Sequence, residues 1–343
     1  MAYTTINKPT DYFNTKIYTG TGSSNAVTGV GFQPDMVWFK SRSNADEHNI
    51  FDVLRGVTKV IEPSTTLAEY TQSNGLTAFG SDGFTVGDFN AGNRNNGNIV
   101  AWNWKANGAG SANTTGSLDS TVSVNTTAGF SIVSWTGNGS TETIGHGLGS
   151  VPKMIITKSR TNGGDWWGTY HHSLGNNKAL FLNDNAAAGT RTYWANSSPT
   201  ANVFYVSGER SVNGSGENLI AYCFAEKQGY SKIGSYTGNG ANGDGTFIYT
   251  GFKVAWLMVK KTDSGTNWNM YDNKRSSFNS TSGLLRPDTN AAEAQADEFD
   301  FLSNGFKARN SAAAMNASGS PYIYMAFAEA PLVGTNGVTA KAR

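Results

Sequence analysis

Three stretches of the chain repeat the same three blocks in the same order, and this limits the fold more than any single residue does. The first block reads Lys16-Ile17-Tyr18-Thr19-Gly20-Thr21-Gly22, then Ile132-Val133-Ser134-Trp135-Thr136-Gly137-Asn138-Gly139, then Lys232-Ile233-Gly234-Ser235-Tyr236-Thr237-Gly238-Asn239-Gly240. Each is a strand-like run that ends in an aromatic and a Thr-Gly turn. The second block is Gly31 to Arg42, Gly149 to Arg160 and Gly251 to Thr262, an apolar run closing on Lys40, Lys158 or Lys260. The third is Ile99 to Trp104, Leu219 to Phe224 and Tyr322 to Phe327. From the shared lysine to the last aromatic the spacing is 64, 66 and 67 residues. The matches include apolar core positions as well as turn residues, which points to one module used three times.

Composition gives the module its class. Glycine supplies 41 and asparagine 36 of 343 residues, the turn formers that many short strands need. Charged residues are only 15%, which excludes a coiled coil, and a net charge of +1 excludes a binder that works by neutralising phosphates. Aromatics at 12% are too many for a disordered chain. We therefore expect an all-β protein of tandem antiparallel β-sandwich modules, jelly-roll-like, with little helix. The expected division is an N-terminal arm (1–15), module 1 (16–106), a Gly/Ser/Thr/Asn linker (107–129), module 2 (130–227), module 3 (228–331) and a C-terminal tail (332–343).

Finer expectations follow. The continuous apolar run of the second block predicts a strand covered on both faces, with Pro34 and Pro152 at its start, where a missing N–H costs little. Trp38, Ile156 and Met258 take equivalent places in it and should all be buried. Phe79 to Thr85 and Phe301 to Lys307 predict hairpins around Asp82-Gly83 and Asn304-Gly305. Module 2 lacks that block and carries Val203-Phe204-Tyr205-Val206 instead. Helix is expected over 290–299, where alanines cluster, and as a turn near 64–70.

Signals for chemistry are sparse. Cys223 is the single cysteine, so no disulfide forms within the chain. The chain has no Gly-x-Ser-x-Gly elbow, and its Gly-rich loops lack both the P-loop Lys-Ser/Thr and the EF-hand aspartates. No carboxylate pair has a spacing that points to glycoside cleavage. We expect no catalytic residues, no metal site and no cofactor. The most concentrated polar-aromatic stretch contains Trp166, Trp167, Tyr170, His171 and His172. Read for function, it is a glycan-binding loop, with aromatic faces for sugar rings and imidazoles for hydroxyls. Read for structure, its aromatics fill a sandwich core, as the similar patterns at 48–52 and 267–272 suggest.

No run approaches the roughly 18 apolar residues of a membrane span, and the N-terminus lacks the features of a signal peptide. Three small, glycine-rich modules without disulfides leave sheet edges that need cover, so we expect a homo-oligomer, a trimer by preference.

The blocks Gly31 to Arg42, Phe51 to Gly56, Ser81 to Gly87 and Val100 to Ala106 resemble modules of predicted virion structural proteins of marine bacteriophages. Module 3, with Ser235 to Gly240 and Trp256 to Lys260, is similar to another member of that set. The resemblance implies a virion component, tail-fibre-like, that helps assembly and host-surface attachment. Its partners would be copies of itself, other virion proteins and a host surface glycan, with no nucleic acid and no membrane insertion. The alternatives are a carbohydrate-binding adhesin or depolymerase, and a capsid decoration protein.

Overall fold

The computed structural model describes residues 3–334, 337 and 339. The chain is nearly all β, and among the described residues α-helix is confined to the single turns Asn90–Asn93 and Arg210–Asn213. Each triplicated block is a strand. In module 1, Phe13–Thr19, Asn98–Trp104, Met36–Ser41 and Asn49–Asp52 lie side by side in that order. In module 2 the order is Phe130–Thr136, Asn218–Phe224, Met154–Ser159 and Gly168–His171. In module 3 it is Ser231–Thr237, Pro321–Pro331, Phe252–Lys261 and Asn269–Asp272. All neighbours are antiparallel, and the registers correspond: Trp38 faces Trp102, Ile156 faces Tyr222, and Met258 faces Met325.

A second sheet backs each of these inner sheets. It is Asn25–Thr28, Gly83–Val86 and Leu76–Gly80 in module 1, and Glu142–Gly145 with Val203–Val206 in module 2. In module 3 it is Phe247–Tyr249, Gly305–Ala308, Ala294–Leu302 and Thr281–Leu284. Residues alternate along a strand. Val37 and Phe39, Ile155, and Leu257 and Val259 therefore turn into the sandwich of their own module.

The opposite face of every inner sheet packs against the other two. Met36, Trp38, Met154, Ile156, Trp256 and Met258 share one core with Val100, Ile220 and Ile323. The three closing aromatics meet there. Trp104 lies 6.4 Å from Phe224 and 5.8 Å from Phe327, and Phe224 lies 6.1 Å from Phe327, ring centre to ring centre. The modules are thus wound round a pseudo-threefold axis within one chain. This is why the second block reads as a continuous apolar run, and Trp38, Ile156 and Met258 are all buried.

The Thr-Gly turns have a common cause. A side-chain carbon on Gly20, Gly137 or Gly238 would run into the carbonyl oxygen of Arg94, Gly214 or Ala317. Beneath each turn sits a buried asparagine, Asn93, Asn213 or Asn316, whose main-chain carbonyl accepts from Gly22, Gly139 or Gly240 at 2.8, 2.9 and 2.8 Å.

Four expectations need correction. The 107–129 stretch contains two strands, Ser111–Asn113 and Ser120–Asn125, which extend the inner sheet of module 2 at its Phe130–Thr136 edge. Val122 is buried in the module 2 core and Val124 packs against it, enough to commit a Ser/Thr-rich segment to strand. The alanine-rich 290–299 segment leads into the strand Ala294–Leu302, because Phe299 and Phe301 alternate into the module 3 core and outweigh helix propensity. No helix forms over 64–70. Finally, both hairpins turn one residue earlier than expected: Gly80 pairs with Gly83, and Leu302 with Gly305. Gly83 and Gly305 are needed for close approach to the carbonyls of Val27 and Ile248, and the turns fall on Ser81-Asp82 and Ser303-Asn304.

Candidate functional site

The axis itself is filled. Its void, lined by Met36, Trp38, Trp104, Ile156, Tyr222 and Met325 among others, measures about 10 Å³, room for no more than one water. The polar chemistry of the interior lies instead at the three seams between modules, and each seam is built from equivalent positions.

At the seam of module 2 on module 1, the Trp167 indole donates to the Glu62 carbonyl at 3.0 Å, and the Tyr222 hydroxyl donates to the Asp52 carboxylate at 2.7 Å. The Arg160 guanidinium grips Glu69 at 2.9 and 3.1 Å. At the seam of module 1 on module 3, Trp102 Nε1 donates to Asp272 at 3.0 Å, and Arg42 grips Glu293 at 2.8 and 2.7 Å. His48 takes the place of the Trp167 indole beside the Arg286 backbone, and its Nδ1 accepts from the Trp38 indole at 3.0 Å. At the seam of module 3 on module 2, Trp268 donates to the Phe181 carbonyl at 2.9 Å. His171 stands there where the other modules carry Asp52 and Asp272, its ring nitrogen 3.4 Å from the Tyr324 carbonyl.

The substitution follows chemistry. Asp52 and Asp272 each meet an N–H or O–H donor from the next module and an arginine, Arg55 at 2.6 Å and Arg275 at 2.5 Å. His171 reaches the third seam, where the equivalent of Tyr222 and Trp102 is the apolar Met325. A carboxylate there would have been buried without that donor.

Of the shared lysines, Lys158 and Lys260 reach across a seam, to Thr66 and Asn185, while Lys40 bonds within its own module. Lys40, Lys158 and Lys260 are fully buried, and each donates to two main-chain carbonyls: Ser41 and Asn44, Thr66 and Asp165, Asn185 and Lys261. Burial pulls each ammonium down to about 8, against the pull of nearby carboxylates.

The five residues expected to form a glycan loop do not gather on one surface. Trp167, Tyr170 and His171 are buried, each turned into a core or a seam. His172 is half-buried, with Nε2 at 2.9 Å from the Ile233 carbonyl. Trp166 alone is exposed, at 39%, with its ring packed on Phe181. Alternation along the strand Gly168–His171 separates them: Tyr170 enters the module 2 sandwich while His171 faces the axis. Burial also pushes His171 down to about 3 and His146 to about 4, so both are neutral imidazoles near pH 7. Cys223 is buried and its thiol is pushed well up. Among the described residues, no group of three or more His, Cys, Asp or Glu side chains could hold a metal ion.

Sequence reasoning missed the seam pairs. The signal was present in the repeats themselves: aligned on their blocks, Asp52, His171 and Asp272 fall at one position, as do His48, Trp167 and Trp268.

The fold and its seams define a class: a single-chain β protein in which three like modules close round a common aromatic core. The chain belongs to the family described as a domain of unknown function (DUF7483), whose match spans residues 8–331. No curated protein and no solved structure matches it.

Proposed function

We propose that this chain is a non-enzymatic structural component of a bacteriophage particle, of tail or fibre type, where it contacts other virion proteins. The observation that carries the reading is the shared core. One chain builds a threefold body whose seams carry indole-to-carbonyl bonds and, at two of the three, a partly buried arginine–glutamate pair, a construction suited to bearing contacts on its outside. The resemblance of its repeat blocks to virion modules supports the same reading. The shared core buries one face of every inner sheet within the chain itself. The proposal therefore places single copies in the particle as readily as trimers.

The test is mass spectrometry of purified particles with sedimentation of the recombinant chain. The proposal expects the chain in the particle at fixed copy number. Its absence from particles, or release of reducing sugar from a polysaccharide by the pure chain, would overturn it.

A further inference from the structure

In a body made of three like modules, what the fold requires recurs at all three equivalent places. What differs is free to serve something else. Trp166 occupies a position that is Glu47 in module 1 and Asn267 in module 3. Across the seam, Leu67 stands where the other modules carry Ala186 and Ala291. Glu47 and Asn267 are satisfied by polar partners, Ser64 at 2.6 Å and Asp288 at 2.9 Å. At this seam alone the pair is apolar and open, Leu67 53% and Trp166 39% exposed. The two chain segments are joined here, since the Gly164 N–H donates to the Thr66 carbonyl at 2.9 Å.

A charge sits on the same phenyl ring as Trp166. The Trp166 ring packs on Phe181 at 4.9 Å, and the Arg191 guanidinium lies over that same ring at 5.5 Å. Arg191 is exposed, and among the described residues it has no carboxylate partner; its Nη1 donates to the Thr190 carbonyl at 3.0 Å. Most arginines of the chain are paired with Asp or Glu, including Arg42, Arg55, Arg94, Arg160, Arg210 and Arg275.

We propose that Trp166, Leu67 and Arg191 form a binding patch for a carboxylated saccharide. The exposed part of the indole takes the C–H face of a sugar ring, as aromatic surfaces take apolar faces that carry polar rims. The free guanidinium takes the carboxylate, which it can bind through two parallel N–H bonds. An apolar protein segment would use the indole and leave Arg191 unused; a neutral sugar would do the same. The patch lies near the start of the strand Gly168–His171, at the end of the body away from Thr4 and Leu332, which bond to the Gln228 and Gly251 carbonyls. The inference rests on the virion reading only for where such a sugar would be met, namely a host surface.

The test is calorimetric titration of the full chain with tetragalacturonate, tetramannuronate and 3′-sialyllactose, and with maltotetraose as a neutral control. Trp166→Asn installs the residue that module 3 tolerates at this place, so it should fold. Saturable binding of at least one acidic sugar is expected. It should weaken at least tenfold in Trp166→Asn and in Arg191→Gln, fall with added salt, and stay unchanged in Phe278→Ala, a ring exposed elsewhere. No binding of any acidic sugar, maltotetraose binding as tightly, or binding indifferent to both patch variants would overturn the proposal. Detection of the chain in particles is a separate readout, so the virion reading can fail without the patch, and the patch without it.

Discussion

If the modules share one core, the Trp104 and Phe327 rings must be energetically coupled although 223 residues separate them in sequence. The perturbation is a double-mutant cycle, Trp104→Leu with Phe327→Leu. Both rings are buried, and Trp104 also touches Phe13 at 4.9 Å, Phe224 at 6.4 Å and Trp256 at 5.8 Å. Truncation to alanine would cost about 3–5 kcal/mol at either site. Leucine refills part of the space, so each single change should cost about 1–3 kcal/mol. For Trp104 the loss is softened, because among the described residues its indole N–H has no partner and its removal relieves an unsatisfied buried donor. Edge-to-face pairs at such distances are worth about 0.5–1.5 kcal/mol beyond area, so the double change should cost less than the sum of the singles by about that amount. Urea unfolding followed by tryptophan fluorescence and circular dichroism measures all four corners of the cycle. Strict additivity, or separate transitions for modules 1 and 3, would refute the reasoning.

Other outcomes follow from the same structure. Gly20→Ala, Gly137→Ala and Gly238→Ala should each cost more than about 2 kcal/mol in thermal unfolding, because main chain blocks the added carbon, whereas Gly216→Ala, with open space but a φ of +72°, should cost about 1 kcal/mol. Lys40, Lys158 and Lys260 bind fewer protons in the fold than in the unfolded chain between about pH 8 and 10.5, so their contribution to stability grows as pH rises through that window. The urea midpoint should rise from pH 7.5 to 9.5, below the range where the buried tyrosines oppose it, and Lys40→Met should flatten the rise. Glu298 has the opposite sign: burial lifts its carboxyl to about 8, so the fold holds a proton that the unfolded chain releases, and stability falls as pH rises from about 4.5 to 8. Glu298→Gln should remove that fall and raise the melting temperature at pH 8.

The repeats were legible because the shared core asks the same of every module. A closing aromatic, an apolar strand buried on both faces and a glycine under a main-chain carbonyl leave the same letters three times. The strands at 111–113 and 120–125 were not legible, since Val122 and Val124 are the only strongly apolar residues that mark them among serine, threonine and asparagine. Nor was the 294–302 strand, where local alanine content argued for helix and only Phe299 and Phe301 argued for sheet. Of the two readings of the 166–172 stretch, the structural one describes Trp167 and Tyr170, which fill core positions, and geometry gives the reason. A strand sends neighbours to opposite faces, so Tyr170 and His171 could not share a surface, and just before the strand Trp167 turns inward while its neighbour Trp166 stays outside. Contacts across seams, such as Tyr222 to Asp52, join residues 170 apart and follow from the closing of three sheets on each other, which no local pattern encodes.

Native-state hydrogen exchange tests the central claim most directly. The amides of Val100 to Trp104, Ile220 to Phe224 and Ile323 to Phe327 lie on the three strands that carry the common core. They should exchange with one shared opening free energy, equal to that of global unfolding, and Trp104→Leu should lower all three by the same amount. Three different opening energies, with the variant lowering only that of module 1, would contradict a body built as one cooperative unit.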